Sequence, residues 1–574
     1  MISADLESKE FPYNFREIGV TVVVPSVATP NGVTPQILYA DNVFPLARGY
    51  TSVGFTGHIP AIPSLAEPII ESFKISSSEG SLAYLVVTAT KFYIFDVNSP
   101  SWQVKKSFPS STTPISFANI KGEFYIFIPS LYQIVQYNFA AASFTDVTLA
   151  GIDMTDVFGI SDAGDRMLMY SYSQIYWSSV FDPLDFIPSL STGAGSSSVI
   201  AIKSIITAVV SLGQDFIIYT AQNAVGARAT GDFNFPYIFA EIVGSAGAVS
   251  SNHIAYNSNS QVHLVWTYSG FQEVTPQRAQ YAFPDLSDGI IRGIRFQYSQ
   301  GVPYIIQAEK LEVLLRFASN RWLCISVKDS TSAYYTDCYV LDTLLGRWGK
   351  LTVQHVGILE YWPIAEADRF TYDDIDSEFP TYNDFVDNYR ETFGVDLLIT
   401  PPTPGDNFGI VTPAGAIFTA APSETANYRG GILGLSAETP KIILGNFKVN
   451  PNAGVRLEEI RVNDIKEGTL AAFSNSHNGS INRKSALWEQ NSLQKGTFTG
   501  TLIGDSVSIE ISGVFRLTQL QLELYNAGKL NMPMVSTELQ YTTIMVETAH
   551  VFVEEAGVVD TPIPVNRSNV EQIT

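Results

Sequence analysis

The stretch Lys91-Phe-Tyr-Ile-Phe-Asp-Val-Asn98 decides the fold, because it returns as Glu123-Phe-Tyr-Ile-Phe-Ile-Pro129. Looser copies follow at Gln174–Ser178, Asp215–Thr220 and Gln261–Thr267. The aromatic or aliphatic cores of the five copies lie 32, 51, 41 and 46 residues apart. A repeat of about 40–50 residues is typical of small antiparallel sheets that stand side by side as blades. The sequence therefore predicts an all-β protein, a β-propeller of short antiparallel blades with loop-rich insertions.

The composition agrees with a folded all-β chain. Of 574 residues, 45% are hydrophobic and only 16% are charged, so the chain has ample material for a buried core. The 35 Phe and 28 Tyr residues favour strands. Turn residues such as Ile120-Lys-Gly122 and Ser161-Asp-Ala-Gly164 punctuate the chain at the short intervals that strands require.

The net charge limits the partners of the protein. At −22 the chain is strongly acidic, whereas proteins that grip nucleic acid carry basic patches that neutralise phosphates. We therefore expect no tight binding of DNA or RNA, although an acidic wall lets DNA pass without adhering to it.

Changes in composition predict five segments. They are an extended N-terminal arm (1–45), the propeller blades (46–360), an acidic loop-rich insertion (361–406), a C-terminal β-strand region that forms a final blade or a platform (407–530), and a C-terminal tail (531–574). The window 360–406 holds 12 acidic and two basic side chains, a net charge of −10. Its run Asp373, Asp374 and Asp376 leaves two readings open, a solvated loop or an oxygen-ligand cation site, and it lacks the EF-hand pattern.

A search for chemistry finds no phosphate-binding loop, no nucleophile elbow and no HExxH pair. The six histidines are scattered without the spacing that zinc needs. Cys324 and Cys338 flank a predicted hairpin and are interpreted as reduced, half-buried thiols. We predict no catalytic, cofactor-binding or metal-binding residue, no cofactor, and a protein that is not an enzyme.

The N-terminus lacks the basic and apolar regions of a signal peptide. The longest apolar stretch, 199–212, is interrupted by Lys203 and is shorter than the roughly 20 residues that a membrane-spanning helix needs. The sequence thus predicts a soluble protein without a membrane span, synthesised in a cytoplasm.

The order of features between residues 40 and 350 resembles the tail nozzle proteins of short-tailed bacteriophages (podoviruses). That group includes the tail tubular protein B family and the packaged-DNA stabilisation proteins. Five pieces carry the resemblance: Asn42-Val-Phe-Pro-Leu-Ala-Arg-Gly-Tyr-Thr-Ser-Val-Gly54, the unit from Arg166 to Phe186 with its Asp-Pro-Leu-Asp-Phe turn, Gly213-Gln-Asp-Phe-Ile-Ile-Tyr-Thr220, Gly244-Ser-Ala-Gly-Ala-Val249, and Val340-Leu-Asp-Thr-Leu-Leu-Gly-Arg-Trp-Gly349. The acidic insertion has no counterpart that we can match to the family.

The resemblance implies a viral structural protein of the virion, made in the host cytoplasm. Six copies would form the nozzle ring at the distal end of the tail, a homo-hexamer that contacts adaptor or portal-side proteins and tail fibres or a needle. The ring would retain the packaged genome and conduct double-stranded DNA during genome ejection without binding it tightly.

A second hypothesis remains open. Propellers often place functional groups near their central axis. Trp102, Trp177 and Trp266 are candidate platforms for sugar rings, although core packing explains them equally well. The alternative function is therefore a tail-associated propeller that binds or cleaves glycans.

Overall fold

The structure of the protein is a computed structural model. It describes residues 8–12, 36–45, 50–59, 69–76, 82–96, 101–110, 115–198, 201–257, 262–291, 294–299, 302–307, 311–318, 321–329, 331–359, 408–422, 440–447, 454–462, 465–475, 481–485, 487–489, 494–517, 520–528, 541–547 and 550–556. The predicted acidic insertion, with Asp373, Asp374 and Asp376, lies outside the described residues.

Five four-stranded antiparallel sheets follow one another along the chain, each built from four consecutive strands. Four strands precede them: β1 (Ser8–Pro12), β2 (Gln36–Asp41), β3 (Val43–Pro45) and β4 (Tyr50–Ile59). Blade 1 contains β5 (Ile69–Ser76), β6 (Leu82–Thr88), β7 (Lys91–Asp96) and β8 (Ser101–Ser107). Blade 2 contains β9 (Ser116–Ile120), β10 (Glu123–Ile128), β11 (Gln133–Asn138) and β12 (Ser143–Val147). Blade 3 contains β13 (Gly159–Ala163), β14 (Arg166–Tyr170), β15 (Gln174–Trp177) and β16 (Gly195–Ser198). Blade 4 contains β17 (Ile206–Leu212), β18 (Asp215–Thr220), β19 (Ala224–Ala229) and β20 (Tyr237–Glu241). Blade 5 contains β21 (Ile254–Asn257), β22 (Val262–Thr267), β23 (Gly270–Val274) and β24 (Ala279–Ala282).

Two further blades complete the ring. Helix α1 (Pro284–Ile291) and the hairpin of β25 (Ile294–Ser299) and β26 (Val302–Gln307) lead to blade 6. Blade 6 contains β27 (Leu311–Phe317), β28 (Trp322–Asp329), β29 (Tyr335–Asp342) and β30 (Arg347–His355). Blade 7 contains β31 (Gly357–Leu359), β32 (Phe408–Val411), β33 (Ile417–Pro422) and, as its outer strand, β4. The last blade is thus closed by a strand from the N-terminal part of the chain, which pairs with β33 from Ile417↔Ile59 to Pro422↔Val53.

Apolar clusters between successive sheets close the circle. Blade 1 packs on blade 2, and so on around to blade 5, which packs on blade 6. Blade 6 packs on blade 7, and blade 7 packs back on blade 1 through Val356 and Ile417 against Tyr84 and Phe95. Because each blade is covered on both faces, its middle strands are continuous apolar runs rather than alternating ones. In β10, for example, every residue after Glu123 is buried. The predicted all-β propeller is confirmed, and the described residues place seven blades in the ring.

The repeat noticed in the sequence mixes two positions of the blade. The copies at 91–96 and 174–177 are third strands, whereas those at 123–128, 215–220 and 262–267 are second strands. The second strands of blades 1 to 5 begin at residues 82, 123, 166, 215 and 262, which are steps of 41, 43, 49 and 47 residues. The uneven spacing in the sequence therefore reflects a change of strand, and the blades themselves recur more evenly.

The turns of the blades define two ends of the propeller. We name the end that carries the turns from first to second strand the upper end, and the end that carries the turns from second to third strand the lower end. In blade 2 the upper turn is Lys121-Gly122, with φ of 53° and 82°, which suits a two-residue hairpin turn of type I′. The predicted insertion joins β31 to β32, the first and second strands of blade 7.

The remaining strands form a C-terminal β region that is continuous with the ring. They are β34 (Lys441–Phe447), β35 (Gly454–Val462), β36 (Ile465–Asn475), β37 (Ile481–Ser485), β38 (Leu487–Glu489), β39 (Gln494–Gly504), β40 (Ser506–Leu517), β41 (Leu520–Gly528), β42 (Tyr541–Glu547) and β43 (His550–Ala556). Strand β40 pairs with the start of β4, and β3 pairs with both β4 and β30. One 14-stranded sheet therefore runs from the ring into this region.

Segment boundaries in the structure cross those expected from composition. The predicted arm (1–45) ends in β2 and β3, where Ala40, Val43 and Phe44 are fully buried. The predicted tail (531–574) contains β42 and β43, and β43 pairs with β1. The region 407–530 supplies both a final blade (408–422) and an appended β region (441–528), which the sequence had left as alternatives.

A buried ion cluster joins β2 to blade 6. The Lys350 ammonium lies 3.4 Å from the Asp337 carboxylate and 3.9 Å from that of Asp41, and all three side chains are less than 10% exposed. Thr352 also donates to Asp41. Burial disfavours the charged form of Lys350, but Asp337 and Asp41 outweigh it and hold its pKa well above the ordinary value.

Within the described residues, no helix is long and apolar enough to cross a bilayer.

Candidate functional site

The first strand of each blade lines the axis of the propeller. First strands of neighbouring blades lie side by side, as β9 does with β13, β13 with β17, β21 with β27 and β31 with β5. Polar side chains on these strands therefore meet near the axis, where propellers commonly place functional groups. Among the residues that the structure describes, two groups of polar side chains lie in this position.

The first group bridges three blades. The Arg316 guanidinium of β27 donates through Nη2 to the Glu71 carboxylate of β5 and, at 2.9 Å, to Asn252 Oδ1, which lies just before β21. The Arg316 and Glu71 side chains are 22% and 19% exposed. Burial raises the pKa of Glu71, and the Arg316 charge partly offsets this. The bridge ties blades 6, 1 and 5 together across the axis.

The second group lies on blades 2, 3 and 4. Burial raises the pKa of the Asp162 carboxyl on β13, while the Ser211 hydroxyl and the Asn119 backbone N–H stabilise its charged form. The Asp162 charge also adds to burial in raising the pKa of Tyr256 on β21. Asp162 therefore links blades 2, 3 and 4 near the axis.

His263 supports this second group from behind. It is fully buried, its Nε2 lies 3.0 Å from Ser211 O, and its Nδ1 lies 2.8 Å from the Tyr219 hydroxyl. A carbonyl only accepts, so Nε2 carries the proton and Nδ1 accepts from Tyr219. Both nitrogens are committed, and His263 positions its neighbours rather than exchanging protons with a substrate.

Because of His263 and His355, we expect the free energy of unfolding to depend on pH. Burial lowers the pKa of each to about 4, and the second partner of His355 is the Ser326 hydroxyl at 2.7 Å. The unfolded chain takes up protons near pH 6.5, whereas the folded chain does not until about pH 4. Each histidine should therefore remove about 1.4 kcal/mol of stability per pH unit as the pH falls through that window.

Urea unfolding at pH 7, 6 and 5 measures this slope. The raised pKa values of Glu71 and Asp162 act in the opposite direction and reduce it. Replacement of one histidine, His355→Gln, should flatten the histidine-linked part of the slope by about half. An unchanged slope in His355→Gln would show that this imidazole titrates alike in the folded and unfolded chains, and would contradict its lowered pKa.

The structure separates the candidates raised by the sequence. Trp102 and Trp177 are each 7% exposed, and Trp177 Nε1 donates to Gly193 O at 2.9 Å, so both serve the core rather than a sugar platform. Trp266 is partly buried against Phe271, with ring centroids 4.6 Å apart. Cys324 and Cys338 are free thiols and fully buried, where half-burial was expected; burial, with a contribution from Cys338, raises the pKa of Cys324. In the described part of the chain, no cluster of His, Cys, Asp or Glu is arranged to hold a metal ion.

Neither axial group was visible in the sequence. Glu71 and Arg316 are 245 positions apart, and only ring closure brings them together. In the sequence, Asp162 belongs to the turn pattern Ser161-Asp-Ala-Gly164, which carries no sign of an axial position. The one available signal is a charged residue inside an apolar first strand, as Arg316 is in Leu311–Phe317.

Comparison with known proteins adds little beyond the fold. No family model matches the chain, and no curated protein matches it. Virginiamycin B lyase from Staphylococcus aureus is similar at 8% identity and a TM-score of 0.36, over 64% of this chain and 99% of the lyase. YCF48 from Cyanidioschyzon merolae is similar at 9% identity and a TM-score of 0.35, over 65% of this chain and all of that one. The Cps50 (Swd1) β-propeller domain from Myceliophteria thermophila is similar at 10% identity and a TM-score of 0.36, over 63% of this chain and 98% of the domain. Likenesses this distant carry no argument about function, and the propeller assignment rests on the seven blades described above.

Proposed function

We propose that this protein is a structural subunit of a phage tail, one of six copies in a nozzle ring that retains the genome and conducts it during ejection. One observation carries the proposal. Large apolar side chains stand exposed at the lower end of four consecutive blades, namely Tyr132, Tyr172, Ile205, Val243 and Tyr268, at 53–76%. An apolar surface that extends over several blades is typical of a protein–protein contact.

The fusion of ring and C-terminal region supports the same proposal. One sheet links blade 6, the outer strand of blade 7 and strands β34, β36 and β40, and a single apolar cluster spans blades 5 and 6 and that region. A subunit under mechanical load gains from such continuity, because the two parts cannot swing independently.

The axis of one propeller is not the conduit for DNA in this proposal. Arg316 spans the first strands of blades 6, 1 and 5, and its contacts leave no room for a duplex. The conduit is therefore formed between subunits, and adaptor or portal-side proteins and fibres or a needle contact the remaining surfaces. The excess of acidic residues favours passage of DNA without adhesion.

Native mass spectrometry and electron microscopy of the purified protein, alone and with tail adaptor protein, test the proposal. We expect a sixfold ring, and we expect Val243→Glu and Tyr268→Glu to abolish it, because a buried unpaired charge opposes association. Leu344→Glu is the matched control, since Leu344 is 75% exposed in an upper turn of blade 6. A protein that stays monomeric with every tail component, or a ring that tolerates both lower-end charges, would refute the assignment.

The glycan-binding or glycan-cleaving alternative stays a prediction. Two of its three candidate tryptophans are buried, and Glu71, one of the two axial carboxylates, is paired with Arg316. Release of reducing sugar from a bacterial capsule by the purified protein would favour it over the nozzle.

A further inference from the structure

An open cleft lies at the upper end between blades 3 and 4. Its cavity volume is about 160 Å³, and it is lined by the turn that contains Asp165 and Arg166, by Gln214, and by the loop that carries Asp232, Phe233 and Tyr237. The cleft is remote from the lower-end surface and from Arg316. Neither the resemblance nor the proposed ring assigns it a role.

Arg166 places a buried positive charge in this cleft. It is 8% exposed, and Nη1 donates to Ser178 O and, at 2.9 Å, to Gly193 O. Those two bonds use both hydrogens of Nη1. Among the described residues, no carboxylate pairs with the guanidinium and no acceptor meets Nη2 or Nε. Neither Nη2 nor Nε is a fully buried atom without a partner, so both face the open cleft, where an anion would pair with the guanidinium.

Gly193 keeps the space beside this guanidinium open. Its φ is +65°, and a Cβ at this position would lie 2.7 Å from Arg166 Nη2 and 2.9 Å from Phe233. Any other residue would be strained in this conformation and would also press on Nη2. The backbone is thus shaped around an accessible Nη2.

Further polar groups converge on the same cleft. The Tyr237 ring is held edge-on against Trp177 and Phe216, at centroid distances of 5.5 and 4.9 Å. Its hydroxyl meets no protein partner in the described part of the chain and lies close enough to Arg166 for that charge to counter the rise in its pKa. Asp165 is exposed, and Asp232 uses Oδ1 to accept from Asn234 N at 2.8 Å.

The donors, acceptors and apolar ring of the cleft together indicate which class of ligand fits it. Arg166 and Tyr237 donate and match a carboxylate, for which a guanidinium offers two parallel hydrogen bonds. Asp165 and Asp232 accept from hydroxyl groups, and their charges oppose a phosphate dianion. The Phe233 ring offers an apolar face for C–H groups.

We propose that the cleft between blades 3 and 4 binds an acidic sugar residue, with its carboxylate on Arg166 and Tyr237 and its hydroxyls on Asp165, Gln214 and Asp232. The site is independent of the proposed ring, and either proposal can fail alone. A uronic acid, free or within a polysaccharide, has the required chemistry.

Isothermal titration calorimetry of the full chain tests the site. We expect sodium glucuronate to bind with a dissociation constant of about millimolar order. Glucose, the methyl ester of glucuronic acid and inorganic phosphate should each bind at least about tenfold more weakly. Tyr237→Phe should weaken glucuronate at least about threefold, since it removes one hydroxyl and keeps the packed ring. Tyr132→Phe, at the lower end, should leave it unchanged. An alginate oligosaccharide that binds more tightly than the free acid would identify the polymer as the source, and equal affinities would identify the free acid.

Arg166→Gln should abolish binding, but Arg166 also holds the loop that contains Ser178 and Gly193. Tyr237→Phe and Gln214→Ala therefore decide the matter, with unchanged melting temperatures as the check on folding. Glucuronate that binds no better than glucose, phosphate that binds as well as glucuronate, or full affinity in both variants would overturn the proposal.

Discussion

A chain that lacks residues 1–59 is expected to lose its cooperative unfolding transition and to aggregate. The truncation removes β4, so β33 loses its partner from 417 to 422 and becomes an open edge. It also removes Phe44 and Val53, both fully buried between blades 6 and 7. Phe44 alone packs edge-on against Trp322 at 5.3 Å and against Phe408 at 5.8 Å, and truncating a buried Phe costs about 3–5 kcal/mol. The summed loss approaches the whole stability of a typical domain, about 5–15 kcal/mol.

Near-ultraviolet circular dichroism during urea unfolding, with size-exclusion chromatography, measures this effect. A chain that lacks only residues 1–35 is the control, because it keeps β2, β3 and β4 and loses β1 alone among the described strands. Co-expression of residues 36–59 with the chain 60–574 should restore part of the transition. If the chain without residues 1–59 unfolds as cooperatively as the control, β4 does not close the ring.

Lys350→Met should destabilise the protein by about 3–5 kcal/mol, because it removes the ammonium that lies between two buried carboxylates. Asp41 and Asp337 are only 3% and 9% exposed at their side chains, so water solvates the two carboxylates little. The methionine side chain has nearly the volume of the lysine stem, so a cavity contributes little. Urea unfolding monitored by tryptophan fluorescence gives the change.

Lys328→Met is the matched control in the same blade. Lys328 lies 3.2 Å from Glu312, which is 45% exposed, and such a surface pair contributes about 1 kcal/mol or less. Asp41→Asn combined with Lys350→Met should recover part of the loss, since one buried charge disappears. Equal losses in Lys350→Met and Lys328→Met would mean that water reaches the cluster.

The fold was readable from the sequence because blade strands are local. The runs at 91–96 and 123–128 are apolar, short and bounded by turns, and each pairs with strands that follow or precede it directly. The sequence left a final blade in 407–530 as one alternative, but it did not indicate that residues 50–59 supply the outer strand of that blade. Pairings across hundreds of residues leave no periodic signal.

The candidate sites were even harder to predict from the sequence than blade 7. Asp162 and Arg166 flank one upper turn of blade 3, and in the sequence both look like ordinary charged residues beside a turn. In the structure, Asp162 lies near the axis and Arg166 lies in the cleft. The quoted unit from Arg166 to Phe186 carried the resemblance, while the cleft depends on the packing of blade 3 against blade 4. The surroundings of Asp162 and Arg166 differ because different neighbouring blades bury them, and the local sequence does not show which blades those are.

By itself, the sequence determined the all-β class of the structure, the pattern of strands and turns in blades 1 to 5, and the strongly negative net charge of the chain. These follow from local patterning, because strands and tight turns are specified by residues close together. Only the tertiary structure decided the number of blades, the closing strand, the Lys350 cluster and the unpaired charge of Arg166. Each of these joins residues far apart in the chain, and their energies arise from desolvation and packing that exist only after the ring has closed.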